Sequence, residues 1–122
     1  MLPETSNLIA EQAAALAELL HEHNGQDVIA LDLRGMSSWT DFFIIATVTS
    51  STHMEGLERH TKEFCQKNGI DISGKSGFKK AGKVPDDEWR IVDLGWAVIH
   101  LMTKQSREFY ELERLWRPVN YG

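Results

Sequence analysis

Leu8, Ile9, Ala13, Leu16, Leu19, Leu20 and His23 recur at intervals of three and four residues, the spacing of one helix stripe. Thr5 or Ser6 can cap the start, and Asn24-Gly25 can end it, so the pattern predicts a helix over about 6–24. Residues 28–33 are short, apolar and flanked by turn formers, which predicts a strand. Residues 41–47 predict a second strand, buried on both faces, and the short link between the two suggests antiparallel pairing. Ser50-Ser51-Thr52 offers hydroxyl caps, and Glu55 stands three residues after Thr52, as in a capping box. Met54, Leu57, Thr61, Phe64 and Cys65 form the stripe of the helix that follows, which Asn68-Gly69 stops.

The rest of the chain is read in the same way. Residues 70–72 predict a short strand. Residues 73–87 carry Gly74, Gly77, Gly82 and Pro85 among lysines, without periodicity, and read as a mobile basic loop. Residues 89–94 and 97–102 predict a hairpin turning at Gly95. A last helix is predicted over about 106–116, with Phe109, Leu112, Leu115 and Trp116 as its apolar stripe. The order α-β-β-α-β-β-β-α gives an α+β domain, with a mixed sheet and helices segregated to one face. Neither a repeat nor a linker interrupts the 122 residues, so residues 1–122 are read as a single domain.

Composition narrows the function classes. The net charge of −5 gives no general pull towards nucleic acid, where neutralisation of phosphates by Lys and Arg dominates affinity. On a nucleoprotein particle, a basic protein is the better-matched contact. The charge is uneven: Lys75, Lys79, Lys80 and Lys83 fall in a span without acids, followed at once by Asp86, Asp87 and Glu88. A single cysteine, Cys65, excludes an internal disulfide and fits a reducing cytoplasm. The start of the chain does not read as a signal peptide, and the longest apolar stretch, 42–46, is too short to span a membrane.

Candidate chemistry is sparse. His53 and His60 are seven apart on one helix, too far for one ion, and His21 and His23 point in different directions, so a structural reading outweighs a metal site. Cys65 lies on an apolar stripe, where a thiol acts as a small hydrophobe. Asp32 and Asp41 sit where two strand ends meet, but no glycine-rich phosphate loop accompanies them. Ser50-Ser51-Thr52 could bind a phosphate, but ordinary capping is the favoured reading, because every helix needs a cap. Trp89, Trp96, Tyr110 and Trp116 gather in the last third of the chain. Strand alternation sets Val98, His100 and Met102 on one face, which is either core or an interface.

Three blocks together resemble the ribosomal silencing factors, also called the Iojap family. They are Asp32-Leu33-Arg34-Gly35-Met36-Ser37-Ser38-Trp39-Thr40-Asp41-Phe42-Phe43, then Trp89-Arg90-Ile91-Val92-Asp93-Leu94-Gly95 running into His100-Leu101-Met102, then Arg107-Glu108-Phe109-Tyr110-Glu111-Leu112-Glu113-Arg114-Leu115-Trp116. The resemblance implies a nucleotidyltransferase-like topology without enzymatic activity or a cofactor. It implies a translational repressor that acts when nutrients are scarce. Such a protein binds the large ribosomal subunit through its fourteenth ribosomal protein and sterically blocks joining with the small subunit. By match to the family's binding surface, Trp89, Leu94, His100, Met102 and Tyr110 are candidate contacts, with Asp93, Arg107 and Trp116 behind them. Trp89 and Tyr110 would be apolar anchors. Two departures stand out. Trp96-Ala97 follows Gly95 where the family often has an acid, and the loop before Trp89 is longer and more basic, making Lys75, Lys79, Lys80 and Lys83 candidates for ribosomal RNA contact. A nucleotide-handling enzyme and a dimeric interaction module are the competing readings.

Overall fold

The structure is a computed structural model, which describes residues 3–72, 80 and 82–112, with side chains from residue 8 onward. The elements are α1 (Pro3–Glu22), β1 (Gln26–Asp32), β2 (Phe42–Val48), α2 (Ser51–Lys67), β3 (Trp89–Asp93), β4 (Ala97–Thr103) and α3 (Lys104–Tyr110). The four strands form one sheet in the order β1-β2-β4-β3. β1 runs antiparallel to β2, and β3 antiparallel to β4, while β2 and β4 pair in parallel at the centre. The α+β architecture with a mixed sheet is therefore formed.

Alternation along the two central strands builds two cores. Phe42, Ile44, Ala46 and Val48 of β2, with Ala97, Ile99 and Leu101 of β4, meet Ala13, Leu16, Leu20, Met54, Leu57 and Cys65 from α1 and α2. Phe43, Ile45, Val98 and Met102 point the other way, joining Leu31, Leu33, Trp89 and Leu112. Every residue of β2 is buried, as its unbroken apolar run requires of a strand covered on both faces.

Three expectations change. No strand forms at 70–72, because Ile70 N–H donates to Cys65 O and closes the end of α2 behind Gly69, whose φ is +67°. The observed order is thus α-β-β-α-β-β-α. Of the three hydroxyl caps offered for α2, Ser50 takes the position and accepts from His53 N–H, so the capping-box pairing of Thr52 with Glu55 does not set the start. Helix α3 starts directly after β4, with Thr103 Oγ1 accepting from Ser106 N–H, and stops where Glu111 turns left-handed at φ +48°. The part of the predicted last helix beyond 112 lies outside the described residues. α1 and α2 share one face, but the buried Leu112 that follows α3 belongs to the core of the other.

Candidate docking site

The second face of the sheet carries the candidate residues. β4 places His100 beside Trp89 of β3, and Trp89 Nε1–H donates to His100 Nδ1 at 3.0 Å. That bond leaves the Nδ1 lone pair as acceptor, so the ring is neutral in the fold; burial pushes its pKa from 6.5 down to about 3. Phe43 meets His100 edge-on at 4.5 Å, and Trp39 tilts against Phe43 at 5.7 Å. On the other side Tyr110 packs on Trp89 at 4.9 Å, and Phe109 on Tyr110 at 4.9 Å. Six rings thus run in one line across the face, from Trp39 to Phe109.

That line surfaces at one end. Phe109 is 77% exposed, the highest among the exposed large hydrophobics of the described residues. It borders a groove of about 200 Å³. One wall is Lys83, Val84, Pro85 and Glu88; the other is Gln105, Ser106, Phe109 and Tyr110 from α3. Phe109 faces out because α3 turns Ser106 and Arg107 inward, and a helix of seven residues has only one inner face. The sequence pattern put Phe109 on the buried stripe; the structure buries Leu112 of that stripe and leaves Phe109 outside. The available signal was Thr103, a capping residue straight after a strand, which marks Ser106 as part of the first inward turn.

The structure separates the sequence candidates. Trp89 (1% exposed), His100 and Met102 are core, so their side chains do not reach a surface, and the alternation's open choice falls on core. Leu94 is buried in the other core, among α1 and α2, away from Tyr110. Asp93 is half-buried, and its Oδ1 accepts from Gly95 N–H, holding the β3–β4 turn. Arg107, only 8% exposed, donates to Thr47 Oγ1 at 2.9 Å and Gln26 O at 3.5 Å, which ties α3 to the end of the sheet. Tyr110 is half-buried and lines the groove. Lys83 is exposed on its rim. Lys80, a candidate for RNA contact, donates within the protein to Val84 O, Asp86 Oδ1 and Trp89 O. Lys75, Lys79 and Trp116 lie outside the described residues. The predicted basic loop, 73–87, runs at its end into a turn in which Glu88 N–H and Trp89 N–H both donate to Pro85 O. Trp96, the departure after Gly95, packs on the helical core and so leaves the groove untouched.

The other candidate chemistries take structural roles. Arg34 holds Asp32 in a fork, Nε to Oδ1 at 2.9 Å and Nη2 to Oδ2 at 2.7 Å, which keeps its carboxyl below the usual range. Asp41 serves through its backbone, accepting from Leu33 N–H and donating to Trp96 O. His53 Nδ1 accepts from Thr49 N–H, and its Nε2 lies 3.2 Å from His23 O, while the rings of His23 and His60 stack at 3.6 Å. Burial raises the pKa of the Cys65 thiol, which disfavours the reactive thiolate. Among the described residues no group of three or more His, Cys, Asp or Glu could hold a metal ion. No helix among them is long and apolar enough to cross a membrane.

Comparison with known proteins places this arrangement. Residues 5–121 match the family model described as "Ribosomal silencing factor during starvation". A protein of Haemophilus influenzae named ribosomal silencing factor is 39% identical over 101 residues, covering 83% of this chain and 93% of its own. A mouse protein named "Mitochondrial assembly of ribosomal large subunit protein 1" is 34% identical over 83% of this chain and 43% of its own length. A crystal structure from Chromobacterium violaceum superposes with a TM-score of 0.72 at 31% identity, covering 87% of this chain and 84% of that one. A match over nearly the whole chain, shared with a structure of the same fold, makes this chain a member of the ribosomal silencing factor family.

Proposed function

We propose that the groove beside Phe109 docks this protein on the large ribosomal subunit, against the fourteenth large-subunit ribosomal protein, and that docking there sterically blocks joining with the small subunit. The protein is then a cytoplasmic repressor of translation under nutrient limitation, and it makes or breaks no bond. One observation carries the reading: Phe109 stands 77% exposed beside Tyr110 at the mouth of a groove. Aromatic side chains seated in a groove are the usual energetic anchors of protein interfaces. Phe109 and Tyr110 supply the apolar contact, and Lys83 and Glu88 the polar rim. Trp89, His100 and Met102 act from beneath, as the bed on which Tyr110 rests. The net charge of −5 suits a basic ribosomal protein better than bare RNA. Family membership and the mouse relative's printed name point to the same particle.

Sucrose-gradient sedimentation with purified subunits, at magnesium levels that permit joining, tests this. The protein is expected to travel with free large subunits and to lower the joined fraction. Phe109→Ala is expected to weaken binding about tenfold, a loss typical of an interface anchor, while its Tm stays within a degree or two, because an exposed side chain contributes little to stability. A wild-type protein that stays at the top of the gradient, with joining unchanged, overturns the proposal.

A further inference from the structure

The wall of the groove opposite α3 is a turn: Ser106 Oγ of α3 donates to its Glu88 Oε1 at 3.5 Å, and Lys80 holds it from its own side. Lys80 Nζ lies 3.2 Å from Val84 O, 2.8 Å from Asp86 Oδ1 and 2.8 Å from Trp89 O. An ammonium has three N–H donors, so these three oxygens fill its capacity. The acceptors are well spaced for a clamp: one at the start of the turn, one on its tip, one on the first residue of β3. Within the turn, Glu88 and Trp89 donate their N–H groups to Pro85 O. Glu88 O accepts from Thr103 N–H, and Leu94 N–H donates to Ala97 O, so alternate residues from 88 to 94 turn their backbone towards β4. Trp89 O therefore points outward from the free edge of the sheet, where Lys80 caps it. The carboxyl of Asp86 is lowered by the same ammonium.

We infer that Lys80 is a positioning residue of the docking groove: its ammonium fixes the wall formed by Val84, Pro85 and Glu88 at the distance from α3 that the partner requires, without touching the partner. This rests on the reading that the groove is the docking site. Preorganising a surface lowers the ordering cost of binding; without the clamp, that cost falls on the docking step. Lys83, exposed on the rim three residues along, is the contrasting case of a lysine that meets the partner directly.

Two measurements on the full chain test it: affinity for purified large subunits over a series of salt concentrations, and amide exchange of the free protein. Lys80→Met keeps the length of the side chain and removes its donors. It is expected to weaken binding by roughly tenfold at every salt concentration, as loss of preorganisation does, with the salt slope unchanged. The amides of Glu88 and Trp89 are expected to exchange faster, whereas in Lys83→Ala they keep the wild-type rate. A salt slope that falls by about one unit in Lys80→Met marks a direct phosphate contact and overturns the inference. Unchanged affinity, or unchanged exchange at Glu88 and Trp89, overturns it too. If the wild-type protein fails to bind large subunits, the proposed function falls by itself, and the exchange comparison still decides whether Lys80 holds the wall.

Discussion

His100 shows how one side chain links packing to acid sensitivity. Its ring is fully buried and accepts the Trp89 indole N–H, and burial lowers its pKa from 6.5 to about 3. The unfolded chain binds a proton there below about pH 6.5, and the folded chain does so only near pH 3. Stability therefore falls as pH drops through that window, by up to about 1.4 kcal/mol per pH unit from this residue. His100→Asn, whose amide oxygen can still accept from Trp89, is expected to flatten the dependence of the urea midpoint on pH between 6.5 and 4; a slope equal to wild type refutes the assignment. Asp32, lowered by Arg34, acts in a separate window below its ordinary pKa of 3.8. Alternation in the sequence correctly set His100 and Met102 on one face. It could not say that the face is closed, because the covering groups, Trp39, Val84 and Tyr110, come from distant parts of the chain.

Among the elements, α3 depends most on a single side chain. It has seven residues, too few to be stable alone, and Arg107 fastens it to Thr47 of β2 and Gln26 of β1. Arg107→Met is expected to cost about 1–3 kcal/mol, since it leaves the buried Thr47 hydroxyl without its donor. Faster amide exchange confined to α3 and the ends of β1 and β2 would accompany that loss, and groove binding would weaken with it. Uniform loss of protection throughout the sheet would instead show that Arg107 supports the whole fold. Helices α1 and α2 were legible because their stripes are long and capped. The segment 70–72 misled because two isoleucines around an aspartate imitate a strand, while the Ile70 N–H was already committed to Cys65 O. The same limit applied to Arg107: sequence gives the residue but not the partners lying 60 and 81 positions away.

As a whole, the molecule divides its labour between the faces of one sheet. The helical face packs against α1 and α2, and among the described residues the other face packs with Trp39, Val84, Tyr110 and Leu112, beside the exposed Phe109. Substitutions should separate accordingly. Leu57→Ala, in the helical core, is expected to destabilise by about 2–5 kcal/mol, read from a urea melt, and to leave the affinity of the folded protein for large subunits unchanged; a matching loss of affinity would mean that the two faces are coupled. Phe109→Ala should show the reverse. The family was legible in the sequence through three blocks: one across β1–β2, one across β3–β4 and one that begins in α3. Their meaning at the surface was less so, because the blocks record side chains that face inward as well as those that face a partner.

The parallel pairing of β2 with β4 also bears on how the protein is made. Phe42 pairs with Ala97 and Val48 with Thr103, so the centre of the sheet joins the two halves of the chain. The β1–β2 and β3–β4 hairpins are local, but the seam between them closes only after a long loop has been drawn in, a slow step for any chain. During synthesis, the first hairpin and α2 leave the ribosome without a strand to complete their sheet, and β2 keeps one edge unpaired until β4 emerges. Synthesis must therefore pass β4 before this sheet, and the groove that α3 builds after it, can form.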